Sequence, residues 1–311
     1  MNLKLLGKKF GAMVVALFVI ITVTFFLMKA IPGDPFTQEQ AIPPAILEAL
    51  RDHYHLNDPI LVQYGHYLKK VVTWDLGPSF KYKARTVNEI IAQGFPVSCV
   101  LGFEALLLAV AGGTVLGTLA AVKHRKWQDY SAMTVAVIGL SVPSFLLATF
   151  LQYIFSIKLG WLPVARWGTF AQSILPACSL AALPMAFIAR LTRSSMLEVL
   201  RQDYIMTARA KGLGWKATVL RHALRNAFMP VLTYMGPLLA NILVGSFVVE
   251  KIFGIPGLGQ WFVTSITNRD YTVIMGMTVF YSALLLFIVF LVDIAYMALD
   301  PRLRIERRAV A

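Results

Sequence analysis

Apolar residues in this chain gather into six long runs, at about 10–30, 97–122, 132–157, 173–191, 229–249 and 273–297. Each is near the ~20 residues that an α-helix needs to cross the hydrocarbon core of a bilayer. The pattern predicts an all-α integral membrane protein with six transmembrane helices. Gly112, Gly113, Gly117, Pro143 and Pro184 fall inside the second to fourth runs. Spans tolerate such residues where neighbouring helices cover the exposed backbone, so a packed bundle with kinked helices is expected rather than six independent anchors.

The polar stretch between the first two runs also has helical signals. Asp58-Pro59 supplies an N-cap and a proline at the first helical position, opening a helix toward Lys70. Thr86-Val87-Asn88-Glu89 has capping-box form and starts an amphipathic helix that leads into the second span at Pro96. The organisation read from this pattern is a first span at 1–30, a small helical extracytoplasmic segment at 31–95, a five-helix core at 96–298 containing a polar loop at 192–228, and a tail at 299–311. Lys4, Lys8 and Lys9 precede the first run as they would in a signal peptide. The run continues to Met28 with no small-residue cleavage site, and it is read as a retained span.

Composition agrees: 58% of residues are apolar and 14% charged. The net charge of +13 lies between apolar runs, which argues for a membrane protein rather than a nucleic-acid binder. Eighteen of the 29 Lys/Arg residues fall in 1–9, 123–126, 190–225 and 302–308, whereas the short alternate loops hold only Lys158, Arg166, Lys251 and Arg269. By the positive-inside rule both termini are cytoplasmic, and the long 31–96 segment, exempt from that rule, lies outside.

Little here could carry catalysis. Cys99 and Cys178 lie in or beside different spans, and no metal-ligand spacing, phosphate loop, nucleophile elbow or dinucleotide fingerprint occurs. His53, His55, His66, His124 and His222 are all read as loop residues. Glu104 and Asp293 are the acidic residues read within spans, and such residues are functional candidates by default. A structural reading stands beside it: Asp293 bonding a neighbouring helix end or Arg302, and Glu104, near the outer end of its span, facing water. Two isolated acids make no proton relay, which disfavours an ion-coupled transporter.

The most distinctive stretch is the basic loop from Asp203 to Pro230. Gly212 and Gly214 interrupt strong helix formers, so a helix over Glu198–Lys211 ends there and a second runs from Trp215 toward Arg225. Leu213, Ala217, Leu220 and Leu224 form one apolar stripe on the second helix. The pattern suits a short helix seated in a partner's groove and equally a basic amphipathic helix resting on anionic lipid. The glycine turn and the small-residue tip Ala208–Gly212 favour the docked element.

These residues resemble the EAA loop of permease subunits of binding-protein-dependent ABC importers, in the form of the dipeptide/oligopeptide branch. Tyr204, Thr207, Ala208, Arg209, Ala210, Lys211, Gly212 and Leu213 match its first part, and Arg221 to Ala227 with Pro230 match its second. Similar motifs follow in order: Ile31-Pro32-Gly33-Asp34-Pro35, His55 to Ile60, Ala189 to Met196, Val249 to Gln260, and Leu299 to Arg302. Gly77 to Lys83, Tyr234 to Pro237 and Asn268 to Tyr271 resemble the oligopeptide members in particular.

The resemblance implies a type I ABC importer permease in the bacterial inner membrane. It implies a second, homologous permease, two ATPase subunits that hold the ATP and Mg2+, and an extracytoplasmic peptide-binding protein. This chain then needs no cofactor and no catalytic site, and the 204–213 stretch becomes the coupling helix. Oligopeptides are the implied cargo, with dipeptides, glutathione and nickel chelates as alternatives within the family. The substrate path is not marked by sequence; Glu104, Pro143 and Pro237 are its candidates. Ordinary helix packing is the simpler reading of Pro143, Pro184, Pro230 and Pro237 as kinks.

Overall fold

The second and fourth apolar runs become the two longest helices, which lie against each other and form the centre of the molecule. The structure is a computed structural model that describes residues 3–31, 48, 57–82, 84–245 and 247–299. Pro32–Pro35, Arg51, His53, His55, Leu56, Lys83 and the tail from Asp300, including Arg302, lie outside the described residues.

Helix α1 spans Leu3–Ala30, α2 Ile60–Val72 and α3 Val87–Val122. The third run forms α4, Trp127–Ser141, and α5, Ser144–Leu151, which widens into a π-helical turn over Gln152–Lys158. Helix α6 is Phe170–Val199, and the basic loop holds α7, Asp203–Ala210, α8, Trp215–Ala217, a π turn at Thr218–Ala223, and α9, Leu224–Ala227. Helices α10 (Met229–Gly245), α11 (Phe247–Phe253), α12 (Leu258–Thr267) and α13 (Tyr271–Leu299) complete the order. Among the described residues the only β feature is an isolated antiparallel bridge between Pro78 and Thr86.

Close approach of α3 and α6 depends on missing side chains. A Cβ on Gly117 would run into the Ala189 carbonyl and come within 2.7 Å of Thr192 Cβ, and one on Gly113 would lie 2.7 Å from the Met185 carbonyl oxygen. Small residues four apart let two backbones touch in this way. We expect Gly117→Val to force the helices apart at a cost of ~2 kcal/mol or more. The thermal midpoint in detergent should fall for Gly117→Val and hold for Gly11→Val on α1, where a Cβ meets nothing within 4 Å.

Span geometry departs from the hydropathy pattern in two places. Four helices are individually long and apolar enough to cross a membrane, over Leu6–Ala30, Val87–Val122, Phe170–Val199 and Tyr271–Ile294. The third run is not one straight span, because α4 and α5 meet at 109°. Proline pushes its predecessor out of the α region, and Val142 is extended at φ −92°, ψ 121°. Helix α10 has 17 residues, below the ~20 of a full crossing. Among the described residues there are thus four spans, or five with the bent pair counted as one.

The segment before α3 is anchored rather than loose. Helix α2 lies against α1, with Tyr67 stacked on Phe25 at 5.3 Å and the Tyr64 and Thr22 hydroxyls 2.7 Å apart. Its cap is Pro59 itself with no side-chain bond, one residue later than expected, and Asp58 accepts a bond from Gln63 through its backbone carbonyl. The capping box at Thr86 and Glu89 is present, and α3 continues through Pro96 without a break. His66 lies on α2 and His222 in the π turn, both in the segments between the apolar spans. Asp293 pairs with Lys9 at 2.7 Å, fastening α13 to α1.

Candidate coupling loop and its supports

The basic loop is two short helical pieces folded on the end of the bundle. Helix α6 stops at Val199, and the chain bends through Arg201 and Gln202 before α7 starts at Asp203. The expected continuous helix from Glu198 is therefore broken. Arg201 and Gln202 donate to the carbonyls three residues back, which tightens the last turn, and Gln202 is extended at ψ 148°. Asp203 then puts a carboxylate in the first turn of α7 and Arg209 a cation in the last, both favourable to the helix dipole.

The stop after α7 is set by Gly212, whose φ is +83°. Its N–H bonds the Arg209 carbonyl at 2.9 Å and the Leu213 N–H bonds the Ala208 carbonyl at 3.3 Å. This pair of bonds is the Schellman arrangement, with glycine in the left-handed position. Underneath, Ile205 packs against Met196 of α6, Ala121 of α3, Val219 and Ala223 of the π turn, and Ala227 of α9, and Ala208 is buried on the same helix. Tyr204 accepts a bond from the Asn226 side chain at 2.7 Å, and Thr207 donates to the Asp203 carbonyl at 3.0 Å.

The buried face of the second piece is not the predicted stripe. Leu220 is 62% exposed, whereas Val219, Ala223 and Ala227 are buried. A π turn takes more residues per revolution than 3.6, so the helical spacing used to pick Leu213, Ala217, Leu220 and Leu224 loses register there.

What remains outside is a small, basic, partly apolar surface. Tyr204, Met206, Thr207, Arg209, Ala210, Lys211 and Gly212 are exposed. The Arg209 guanidinium lies 5.4 Å from the Trp215 ring centroid. Among the described residues, Arg209, Lys211, Lys216, Arg221 and Arg225 have no carboxylate within ion-pair distance. The loop is thus seated on one side and, among the described residues, unneutralised on the other.

Three buried acids escaped the sequence reading. Asp129, on α4, accepts from Arg193 of α6 through both oxygens, at 2.6 and 2.8 Å. It also takes the Arg125 N–H at 3.0 Å, and His124 Nδ1 lies 3.2 Å away. Glu250, fully buried on α11, accepts from Ser98 of α3 at 2.8 Å and from the Gly259 N–H at the start of α12 at 2.7 Å. Asp270, also fully buried, stands before α13 and accepts from the Ser79 hydroxyl, the Phe80 N–H at 3.2 Å and the Thr272 hydroxyl at 3.1 Å. Available signals were the acid directly before an apolar helix (Asp270), the acid in a first helical turn (Asp129) and the glycine-rich turn after Glu250.

The path candidates lie apart in the fold: Glu104 is partly buried on α3, Pro143 forms the α4–α5 corner, and Pro237 lies inside α10.

The amino-acid sequence of this bundle matches two protein families. The family described as "Binding-protein-dependent transport system inner membrane component" matches residues 113–305, and the N-terminal component of the same systems matches residues 2–102. The chain belongs to this permease family.

Among its relatives, the dipeptide transport system permease protein DppB of Bacillus subtilis (strain 168) is 52% identical over 97% of this chain and 98% of that protein. The oligopeptide transport system permease protein OppB of Salmonella typhimurium is 47% identical over 93% of this chain and 95% of that protein. A crystal structure of an amino acid ABC transporter superposes on 68% of the permease and 95% of the solved chain, with a TM-score of 0.53 at 17% identity. The inward-facing MetNI methionine ABC transporter gives 0.51 at 18% identity. These two likenesses show the type I ABC permease fold. As a family member the chain is a multi-pass inner-membrane component of an ABC importer, in which hydrolysis belongs to separate ATPase subunits.

Proposed function

We propose that this permease is the translocation subunit of an ATP-driven peptide importer, and that α7 with its glycine stop is the coupling helix seated in a partner ATPase. The observation that carries this reading is the loop itself: Ile205 fixes it to Ala121 of α3 and Met196 of α6, while Arg209, Lys211 and Gly212 face outward, the two cations without carboxylate partners among the described residues. Force applied to α7 would pass directly into the two central helices. In this reading Tyr204, Thr207, Ala208, Arg209, Ala210, Lys211, Gly212 and Leu213 form the coupling element. The loop and both termini are cytoplasmic, and six crossings arise when the bent α4–α5 pair and α10 each count as one.

The proposed assembly holds a second homologous permease, two ABC ATPases and an extracytoplasmic peptide-binding protein. Both DppB and OppB relatives support peptides as cargo. The Gly77–Lys83 stretch that favours oligopeptides has another task, because Ser79 and Phe80 bond Asp270 and Tyr82 bonds Asn268. Oligopeptides are the proposed cargo, and the 52% identity to DppB keeps dipeptides as the second reading.

The test is ATP hydrolysis by the co-purified complex in proteoliposomes. Binding protein loaded with a tri- to pentapeptide is expected to stimulate hydrolysis at least severalfold over the empty binding protein. Equal stimulation by dipeptide alone would select the second reading. Stimulation only by a nickel chelate would overturn peptide import.

A further inference from the structure

One side of α3 is occupied and the other bare. Ala105, Leu106 and Ala109 bury against α6 and α10. On the opposite side Val100, Phe103 and Leu107 are 50, 59 and 54% exposed, and Glu104 lies among them, since residues three and four apart share a helix face. Glu104 makes no hydrogen bond or ion pair among the described residues. It lies eight residues past Pro96, about 12 Å along the helix.

A carboxylate within a membrane-spanning helix does not face acyl chains comfortably; such residues almost always look into a water-filled cavity or toward a partner. Its side chain also lacks the long stem that lets lysine and arginine reach an interface. Its complement is a cation, and the surroundings say which kind. A lasting ion pair with a second protein chain would need further polar groups to satisfy the remaining carboxylate lone pairs. Val100, Phe103 and Leu107 supply none. A single charge on an apolar wall suits a partner that must be held weakly and released.

We propose that Glu104 lines the passage and pairs with the α-ammonium group of a peptide in transit. The inference rests on the peptide-import reading. Every unblocked peptide carries that group whatever its sequence, and the apolar wall around Glu104 makes no demand on side-chain polarity. The carboxylate therefore favours one end of the cargo without selecting its sequence.

The experiment compares Glu104→Gln with the wild type in the reconstituted complex. It measures uptake of one tripeptide with a free amine and of its N-acetylated form at saturating binding protein. Each peptide's preference for the binding protein is the same in both permeases and cancels. Uptake of the free-amine peptide is expected to fall about tenfold in Glu104→Gln, as for loss of one charge-assisted bond, with the acetylated peptide unchanged. Glu104→Asp should restore part of the rate. An equal fall for both peptides, or none for either, overturns the role of Glu104 while leaving peptide import standing. No uptake of either peptide by the wild type overturns the import reading and this inference together.

Discussion

Gly212→Asp is expected to abolish ATP-driven uptake while the permease still reaches the membrane and assembles. The position is unusual in separating these two outcomes. A Cβ there meets nothing within 4 Å, so the bundle has room for it, but φ is +83°. An L-residue in that conformation costs roughly 1 kcal/mol, and an anion at the C-terminal end of α7 adds a few tenths from the helix dipole. The local penalty is too small to unfold the protein. It is large for the proposed docking, because the new carboxylate lies among Arg209 and Lys211 on the face proposed to meet the ATPase. Arg209→Glu should act alike, through loss of the Arg209 stack on Trp215 and reversal of the charge. Uptake and binding-protein-stimulated hydrolysis are measured beside the thermal midpoint. Normal uptake by a well-assembled Gly212→Asp permease sinks the coupling assignment.

Arg193→Ala should be the most destabilising change at the same end of the molecule. The Asp129 side chain is 3% exposed and the Arg193 side chain 27%. Removing the guanidinium strands a buried carboxylate with only the Arg125 N–H and His124, at a cost of about 3 kcal/mol. Asp129→Asn should cost less, since an amide accepts from arginine through one oxygen. Replacing both, as in Asp129→Leu with Arg193→Met, should recover much of the loss, because an apolar pair needs no desolvation. A thermal double-mutant cycle checks this, and an Arg193→Ala protein melting like the wild type removes the pair from the list of supports.

The fold is legible in the sequence where the signal is local. Apolar runs announce helices because a bilayer leaves the backbone no other partner, and the Thr86–Glu89 box and the Gly212 stop are written within four or five residues. It is not legible where the decisive partner is distant or the helix changes its pitch. Asp129, Glu250 and Asp270 take partners far along the chain: Arg193, Ser98 and Ser79 lie 64, 152 and 191 residues away. Hydropathy records length but not direction, so the corner at Val142–Pro143 was invisible inside an unbroken apolar run. The Leu220 error came from assuming 3.6 residues per turn across a π-helical stretch. The proposed coupling face rests on family resemblance, since pattern alone leaves lipid and protein as equal occupants.

The bonds from Ser79 and Phe80 to Asp270 also bear on the order in which the chain is made. A ribosome delivers residues 57–86 early and Asp270 near the end, so this part of the chain must wait through the synthesis of nearly 200 intervening residues before its anchor exists. The Lys9–Asp293 pair imposes the same delay on α1. The contacts that close Ser79, Phe80 and α1 onto the C-terminal part of the chain therefore form only once that part has been made, long-range closures of the kind that slow folding.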